Sequence, residues 1–244
     1  SRQKRGVMDF DRIESQILFD GKGKIKDIVA RKRNDAHKLI EECMLMANQA
    51  TAKFLQKKNE DFLNNRFLNS DGSEFKVTNE IIIKKFKAIT GIEERRYAKN
   101  QFDTSDLAVF AAKKAINDIK IDPETLDYII VGHNFGDIKH GTKQIDQLPS
   151  VASRVKYKLG IKNPECVCYD LIFGCPGWIE GVIQANAFIK AGIAKKCLVI
   201  GAETLSRTFD TSDRDSMIFS DGAGATIVEK KDKNPNQGIL SHKS

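Results

Sequence analysis

No apolar run in the 244 residues is long enough to cross a bilayer, which takes about 20 residues. The basic N-terminus is not followed by the apolar core of a secretory signal. Those absences exclude a membrane-spanning reading and predict a cytoplasmic protein. Five cysteines (Cys43, Cys166, Cys168, Cys175, Cys197) make an odd set without framework spacing, which excludes a disulfide scaffold and predicts reduced thiols. Cys166-Val-Cys168 lacks both the wider gap and the second pair of a zinc site. His133 and His140 bring no carboxylate or thiol cluster, so no metal is expected. The segment Ser220-Asp-Gly-Ala-Gly224 lacks the third glycine of a dinucleotide fingerprint, because Ile227 occupies its place and a strand is expected to follow. Phosphate cradling is unexpected there; close backbone packing is the better use.

Charge is plentiful but unevenly placed. Lys and Arg total 40 against 33 Asp and Glu, a formal net of +7. Residues 1–58 hold 14 of the basic and 8 of the acidic side chains, whereas residues 59–244 hold 26 and 25. Nearly all the excess belongs to the first quarter. Such asymmetry marks either a nucleic-acid-facing segment or two pieces of different origin, and a solvated basic face on an ordinary domain would produce it too.

Within that quarter, residues 15–20 and 24–30 flank Gly21-Lys-Gly23, a hairpin signal. Asn34 or Asp35 can cap a following helix with an apolar stripe from Leu39 to Phe54. A hairpin and one helix bury little, so this piece reads as incomplete alone. From residue 79 onward the pattern repeats. Helices are expected over 79–89, over 105–119 capped by Thr104 or Ser105, and from Pro149 through Leu159. Strands are expected over 126–132, 167–172 and 197–202, with shorter ones over 217–219 and 225–229. Strands apolar on both faces, alternating with helices, predict a layered α/β fold with a covered sheet.

Cys175 stands where the strand 167–172 gives way to a helix, in Phe173-Gly-Cys-Pro-Gly-Trp178. Pro176 suits the first helical position, where its missing N–H costs nothing. A thiol facing the positive end of a helix dipole is favoured as thiolate, hence as nucleophile. The local pattern is more often that of a small buried hydrophobe, since free cysteine is among the most buried residue types.

The stretches Ile89-Thr-Gly-Ile-Glu-Glu-Arg-Arg-Tyr97, Asp127-Tyr-Ile-Ile-Val131, Leu148-Pro-Ser-Val-Ala152, Asp170 through Trp178, Val199 through Arg207, Asp210 through Arg214 and Phe219 through Ala225 come in order and at compatible spacing. On these residues the chain, from about 59 to 244, resembles ketoacyl-ACP synthase III, a condensing enzyme of the thiolase superfamily. The resemblance implies the N-terminal half of a thiolase-like layered αβαβα fold and an acyltransferase of fatty-acid biosynthesis. Cys175 would take an acyl group from an acyl-CoA starter. Malonyl-ACP would lose CO2, and its carbanion would attack the acyl-cysteine to give 3-oxoacyl-ACP. A thiolate is both a good nucleophile and a good leaving group, which divides one hard step into two easier ones. The Cys175 N–H would be one oxyanion donor. By position, Arg214 matches the arginine that contacts the adenine end of CoA, Leu148 a residue lining the acyl pocket, and Phe219 lies close to that pocket. No cofactor is implied beyond the CoA thioester substrate. The implied partners are acyl-CoA, acyl carrier protein and a second copy in a homodimer, with no membrane.

Departures accompany the match. The catalytic His and Asn of the family belong to a second structural repeat, and this sequence stops at Ser244 before that repeat begins; His242 falls in the joining segment. The condensing site is therefore expected to be incomplete in this chain. Ile89 and Lys85 hold the places of the arginine and aromatic of a CoA clamp, the loop 136–147 is longer than usual, and the family's opening strand is missing near residues 57–61. Residues 1–57, through Arg33-Asn-Asp-Ala-His-Lys-Leu-Ile-Glu-Glu-Cys43 and the hairpin before it, resemble the late catalytic domain of ribonuclease R and ribonuclease II. The metal-binding aspartate cluster of those enzymes is absent. Metal-dependent hydrolysis is not expected, and weak RNA contact through residues 1–58, with Arg31, Lys32 and Arg33 on phosphate, is the alternative function. A fused, inactive fragment is a further alternative. Two domains are expected, residues 1–58 and 59–244.

Overall fold

The computed structural model describes residues 14–19, 25–31, 54–230 and 239, the first two segments as backbone alone. Two compact units divide the chain, Ser1–Leu45 and Met46–Ser244. In the first, β1 (Glu14–Phe19) pairs antiparallel with β2 (Ile25–Arg31), as the glycine-flanked turn predicts. The helix expected after Asn34 lies outside the described residues, as do the side chains expected to touch RNA.

The second unit opens with β3 (Phe54–Lys58), which pairs antiparallel with β4 (Glu94–Ala98) from Phe54↔Ala98 to Lys58↔Glu94. Residues 54–58, assigned by sequence to the first piece, thus pair within the second unit. Their strand lies outside the main sheet. Between them runs α1 (Asn79–Thr90), closed by Gly91 in the left-handed conformation at φ 70°. Ile82, Ile83 and Phe86 of α1 pack with Phe62, Phe67 and Met217 in a small separate core.

The main sheet has the order β10-β9-β5-β8. Strands β5 (Tyr128–His133), β8 (Val167–Ile172) and β9 (Lys196–Glu203) run parallel, and β10 (Gly222–Glu229) returns antiparallel to β9. Helices α2 (Thr104–Ile119) and α3 (Val151–Leu159) cover one face, and α4 (Gly177–Lys190) covers the other. Alternation along β5 shows both layers. Ile129 and Val131 belong to the core with Leu107, Ala108 and Val155, whereas Ile130 packs with Ala185 and Val199. Each fully buried aliphatic side chain stabilises by about 1.5–3 kcal/mol. Ala108, Ala111 and Ala112 let α2 approach closely, as their spacing predicts.

The short strands β6 (Asp137–Ile138) and β7 (Ile145–Asp146) tie down the loop after β5. Residues 217–219, expected as a strand, instead belong largely to a 3-10 turn over Arg214–Ile218, where Met217 is wholly buried. The glycine-rich segment expected as a turn is mostly strand, since Gly222, Ala223 and Gly224 pair with Glu203, Ala202 and Gly201. The burial of Met217 in the α1 core accounts for the first correction, and the free edge of β9 for the second.

Candidate active site

The three parallel strands end on the same side of the sheet, and the segments that leave them converge there. Residues Phe173 to Pro176 leave β8, with Gly174 at φ 66°. Pro176 forms the N-cap of α4, one residue ahead of the position its ring predicts. Two glycines bring the helix mouth to the sheet end. A Cβ on Gly132 would meet the backbone carbon of Gly177 at 2.7 Å and the Trp178 nitrogen at 2.9 Å; one on Gly181 would meet Val199 Cγ1 at 2.7 Å.

The Cys175 thiol that results is exposed. The buried-hydrophobe alternative does not describe it. The other described cysteines behave differently. Cys197 is fully buried in β9, and burial pushes its thiol up to about 12. Cys166 is buried, and Cys168 is raised by its bond to Cys166 and then by burial. Among the described residues the Cys175 N–H has no hydrogen-bond partner, as an oxyanion donor requires. Ile172 and Phe173, 62% and 57% exposed, make the surroundings apolar.

Sequence reasoning did not pair a set of buried polar groups on and beside the strands of this sheet. His133 Nδ1 accepts the Gly136 N–H at 3.0 Å, and Nε2 lies 2.9 Å from Asp170 Oδ2, close but without hydrogen-bond alignment. Asp170 accepts the N–H groups of Val151 at 2.7 Å and Ala152 at 2.8 Å, so this β8 carboxylate caps α3. Asn134 donates both its backbone N–H (2.6 Å) and its Nδ2 (2.8 Å) to Glu203 Oε2. Burial pushes the Glu203 carboxyl up, against the pull of those two bonds, and its Oε1 is buried without a partner. Asp221, also raised by burial, accepts the N–H groups of Ala98 and Ser206 and the Ser206 hydroxyl. The motif stretches contain Asp170, Glu203 and Asp221 and also their partners Val151, Ala152 and Ser206; what no local pattern shows is which stretch meets which.

The other expected site residues lie apart from the thiol. Leu148 is 86% exposed beside β7. Arg214 lies over the Phe75 ring at 5.2 Å, with Nε 3.6 Å from Asp215. Phe219 stacks on Phe209 at 4.0 Å. No hydrogen bond, ion pair or ring contact joins them to Cys175 among the described residues. Two surface clefts of about 500 and 380 Å³ are lined by neither Cys175 nor these three residues. Among the described residues no helix is long and apolar enough to cross a membrane.

A covered, mostly parallel sheet with a thiol at the mouth of its central helix defines a class of α/β proteins. The family model described as 3-oxoacyl-[acyl-carrier-protein] synthase III matches residues 169–244, and the RNB-domain model matches residues 1–132. The β-ketoacyl-[acyl-carrier-protein] synthase III of Neisseria gonorrhoeae is 42% identical over 157 residues, 64% of this chain and 45% of that protein. That of Clostridium acetobutylicum is 43% identical over 146 residues, 59% of this chain and 42% of that protein. The solved structure of synthase III from Thermus thermophilus superposes with a TM-score of 0.56 at 34% identity, covering 73% of this chain and 49% of that one. That from Aquifex aeolicus does so with 0.56 at 32%, covering 73% and 50%. The RNB-family match spans more than half of the chain, so the chain carries sequence of that family, and its C-terminal part is similar to the synthase III condensing enzymes. The chain spans less than half the length of the curated relatives named here. The RNB match overlaps β3, α1, β4, α2 and β5, which fold within the unit that carries Cys175.

Proposed function

We propose that this chain carries the acyl-accepting half of a 3-oxoacyl-ACP synthase III site, with Cys175 as the residue acylated by an acyl-CoA. The observation that carries the reading is an exposed thiol with an unpartnered N–H at the start of α4, when two of the other three described cysteines are buried. The thiolate attacks the thioester carbonyl, the tetrahedral oxyanion lies against the Cys175 N–H, and CoA thiolate departs; sulfur replaces sulfur, and no redox partner is needed. In a complete site the acyl group would then pass to the carbanion from malonyl-ACP. The roles of Arg214 toward the adenine end of CoA, and of Leu148 and Phe219 toward the acyl chain, belong to the same reading. So do acyl carrier protein and a second copy of the chain as partners. The large exposure of Leu148 suits a side chain that finds its cover on another molecule.

The test is incubation with acetyl-CoA and longer acyl-CoAs, followed by peptide mass spectrometry. An acyl mass on the Cys175 peptide, removable by hydroxylamine and lost in Cys175→Ala, is expected. Acylation that persists in that variant, or resides on Cys168, overturns the assignment.

A further inference from the structure

We infer that Asn134 is a positioning residue for the Cys175 turn, locked in one orientation by Glu203. The inference rests on Cys175 being the acyl acceptor. Three observations carry it. Asn134 gives both its N–H and its Nδ2 to one oxygen of Glu203, at 2.6 and 2.8 Å. A flipped amide would set Oδ1 against that carboxylate, so Nδ2 must face Glu203 and Oδ1 must face away. The place it faces is the thiol turn: a Cβ on Gly174 would lie 3.5 Å from Asn134 Oδ1.

Besides Asn134, the Glu203 carboxylate interacts with the Thr204 backbone and, by charge, with His133, and neither requires its double contact with Asn134. It sits at the end of β9 with Oε1 buried and unpartnered, an arrangement costly to keep unless the orientation of Asn134 repays it. Asn134 follows the last residue of β5, and Gly174 comes two residues beyond β8. The clamp therefore joins the ends of three adjacent parallel strands and holds the loop that presents Sγ and the Cys175 N–H. A small displacement of that loop misplaces both the nucleophile and an oxyanion donor together.

The test reads Cys175 in two ways on the whole chain: the pH profile of iodoacetamide alkylation, and acylation by acyl-CoA. Asn134→Asp keeps the shape but replaces the Nδ2 donor with a charged oxygen. We expect its alkylation midpoint to rise by about one unit and its rate at pH 7 to fall roughly tenfold. The double variant Asn134→Asp with Glu203→Gln restores one negative charge and one hydrogen bond with donor and acceptor exchanged, and should recover most of that loss. Asn134→Ala adds no charge; it should keep the alkylation midpoint within half a unit yet slow acylation roughly tenfold. Circular dichroism of each variant verifies folding, and Asn134→Ala decides the matter should Asn134→Asp unfold. Parent-like alkylation in Asn134→Asp, no recovery in the double variant, or parent-like acylation in Asn134→Ala overturns the inference. If the parent chain itself takes no acyl group, the acyl-acceptor reading fails, and the alkylation profiles still decide the role of Asn134.

Discussion

Replacing Gly132 with alanine tests the claim that close approach of α4 to the sheet end creates the site. The added methyl would stand 2.7 Å from the Gly177 carbonyl carbon and 2.9 Å from the Trp178 nitrogen. Carbon atoms in good contact lie about 3.5–4.0 Å apart, so roughly 1 Å must open between strand and helix. Both obstacles are backbone, and no side chain can rotate away. Overpacking of this kind costs about 1–3 kcal/mol, and the entropic advantage of alanine over glycine returns about 0.5–1 kcal/mol. The mid-range net loss is about 1 kcal/mol. With a urea slope of about 2 kcal/mol/M, the unfolding midpoint should fall by about 0.5 M. Because the methyl presses on the first residue of α4, the alkylation rate of Cys175 should change in the same variant. Gly222→Ala is the control, since nothing lies within 4 Å of its added carbon; it should change stability by less than about 0.5 kcal/mol. Equal midpoints for Gly132→Ala and Gly222→Ala, with unchanged thiol reactivity, would refute the reasoning.

Arg207 is buried, bonds Asp103 at 2.7 Å, and donates to the carbonyls of Ile138, Phe102 and Lys99. Arg207→Ala should therefore cost about 3–5 kcal/mol in urea unfolding, and Arg207→Lys should recover little of it. Glu203 has a folded-state pKa raised by burial above its ordinary 4.5. The native state then holds a proton the unfolded chain has lost, so this stabilisation is full below about pH 4.5 and disappears as pH rises through the raised value. Measured stability of Glu203→Gln relative to the parent should increase from pH 4 to pH 7, and a constant difference would contradict the assignment. Leu148→Ser should leave monomer stability within about 0.5 kcal/mol, because the side chain is 86% exposed, while changing which acyl-CoA lengths label Cys175.

What could be read beforehand was what local chemistry determines. Strands β5, β8 and β9 show as apolar runs because both faces of the sheet are covered. Cys175 shows because a strand, a glycine, the thiol and a proline follow one another directly. Helix starts were less legible, for a reason visible at α2. Asp103, Thr104 and Ser105 are all competent caps, and Thr104 or Ser105 is the expected one. In the structure Asp103 takes the role in a capping box with Asp106. The other two are engaged at a distance: Thr104 bonds the Thr204 hydroxyl at 2.8 Å, and Ser105 gives its N–H and hydroxyl to Asp137. The choice among neighbours is made by partners that no local pattern contains. Strands β3 and β4 were missed on related grounds, since their mixed burial offers neither an apolar run nor clean alternation.

The same distinction explains why the thiol was found and its supports were not. A thiol at a strand–helix junction is a local event, whereas the contact of Asn134 with Glu203 spans 69 residues. Topology is what joins them. Strands β8, β5 and β9 are adjacent and parallel, so the residues following Ile172, His133 and Glu203 must emerge side by side at one edge. Carboxyl ends of parallel strands are where α/β proteins bind ligands, because backbone there is released from the ladder while still held by the sheet. Cys175 follows β8 and opens α4 at that edge, and Asn134, just after β5, stands against its turn while bonded to Glu203 of β9. If the thiol takes the acyl group, a change at any of these strand ends should be felt at the sulfur.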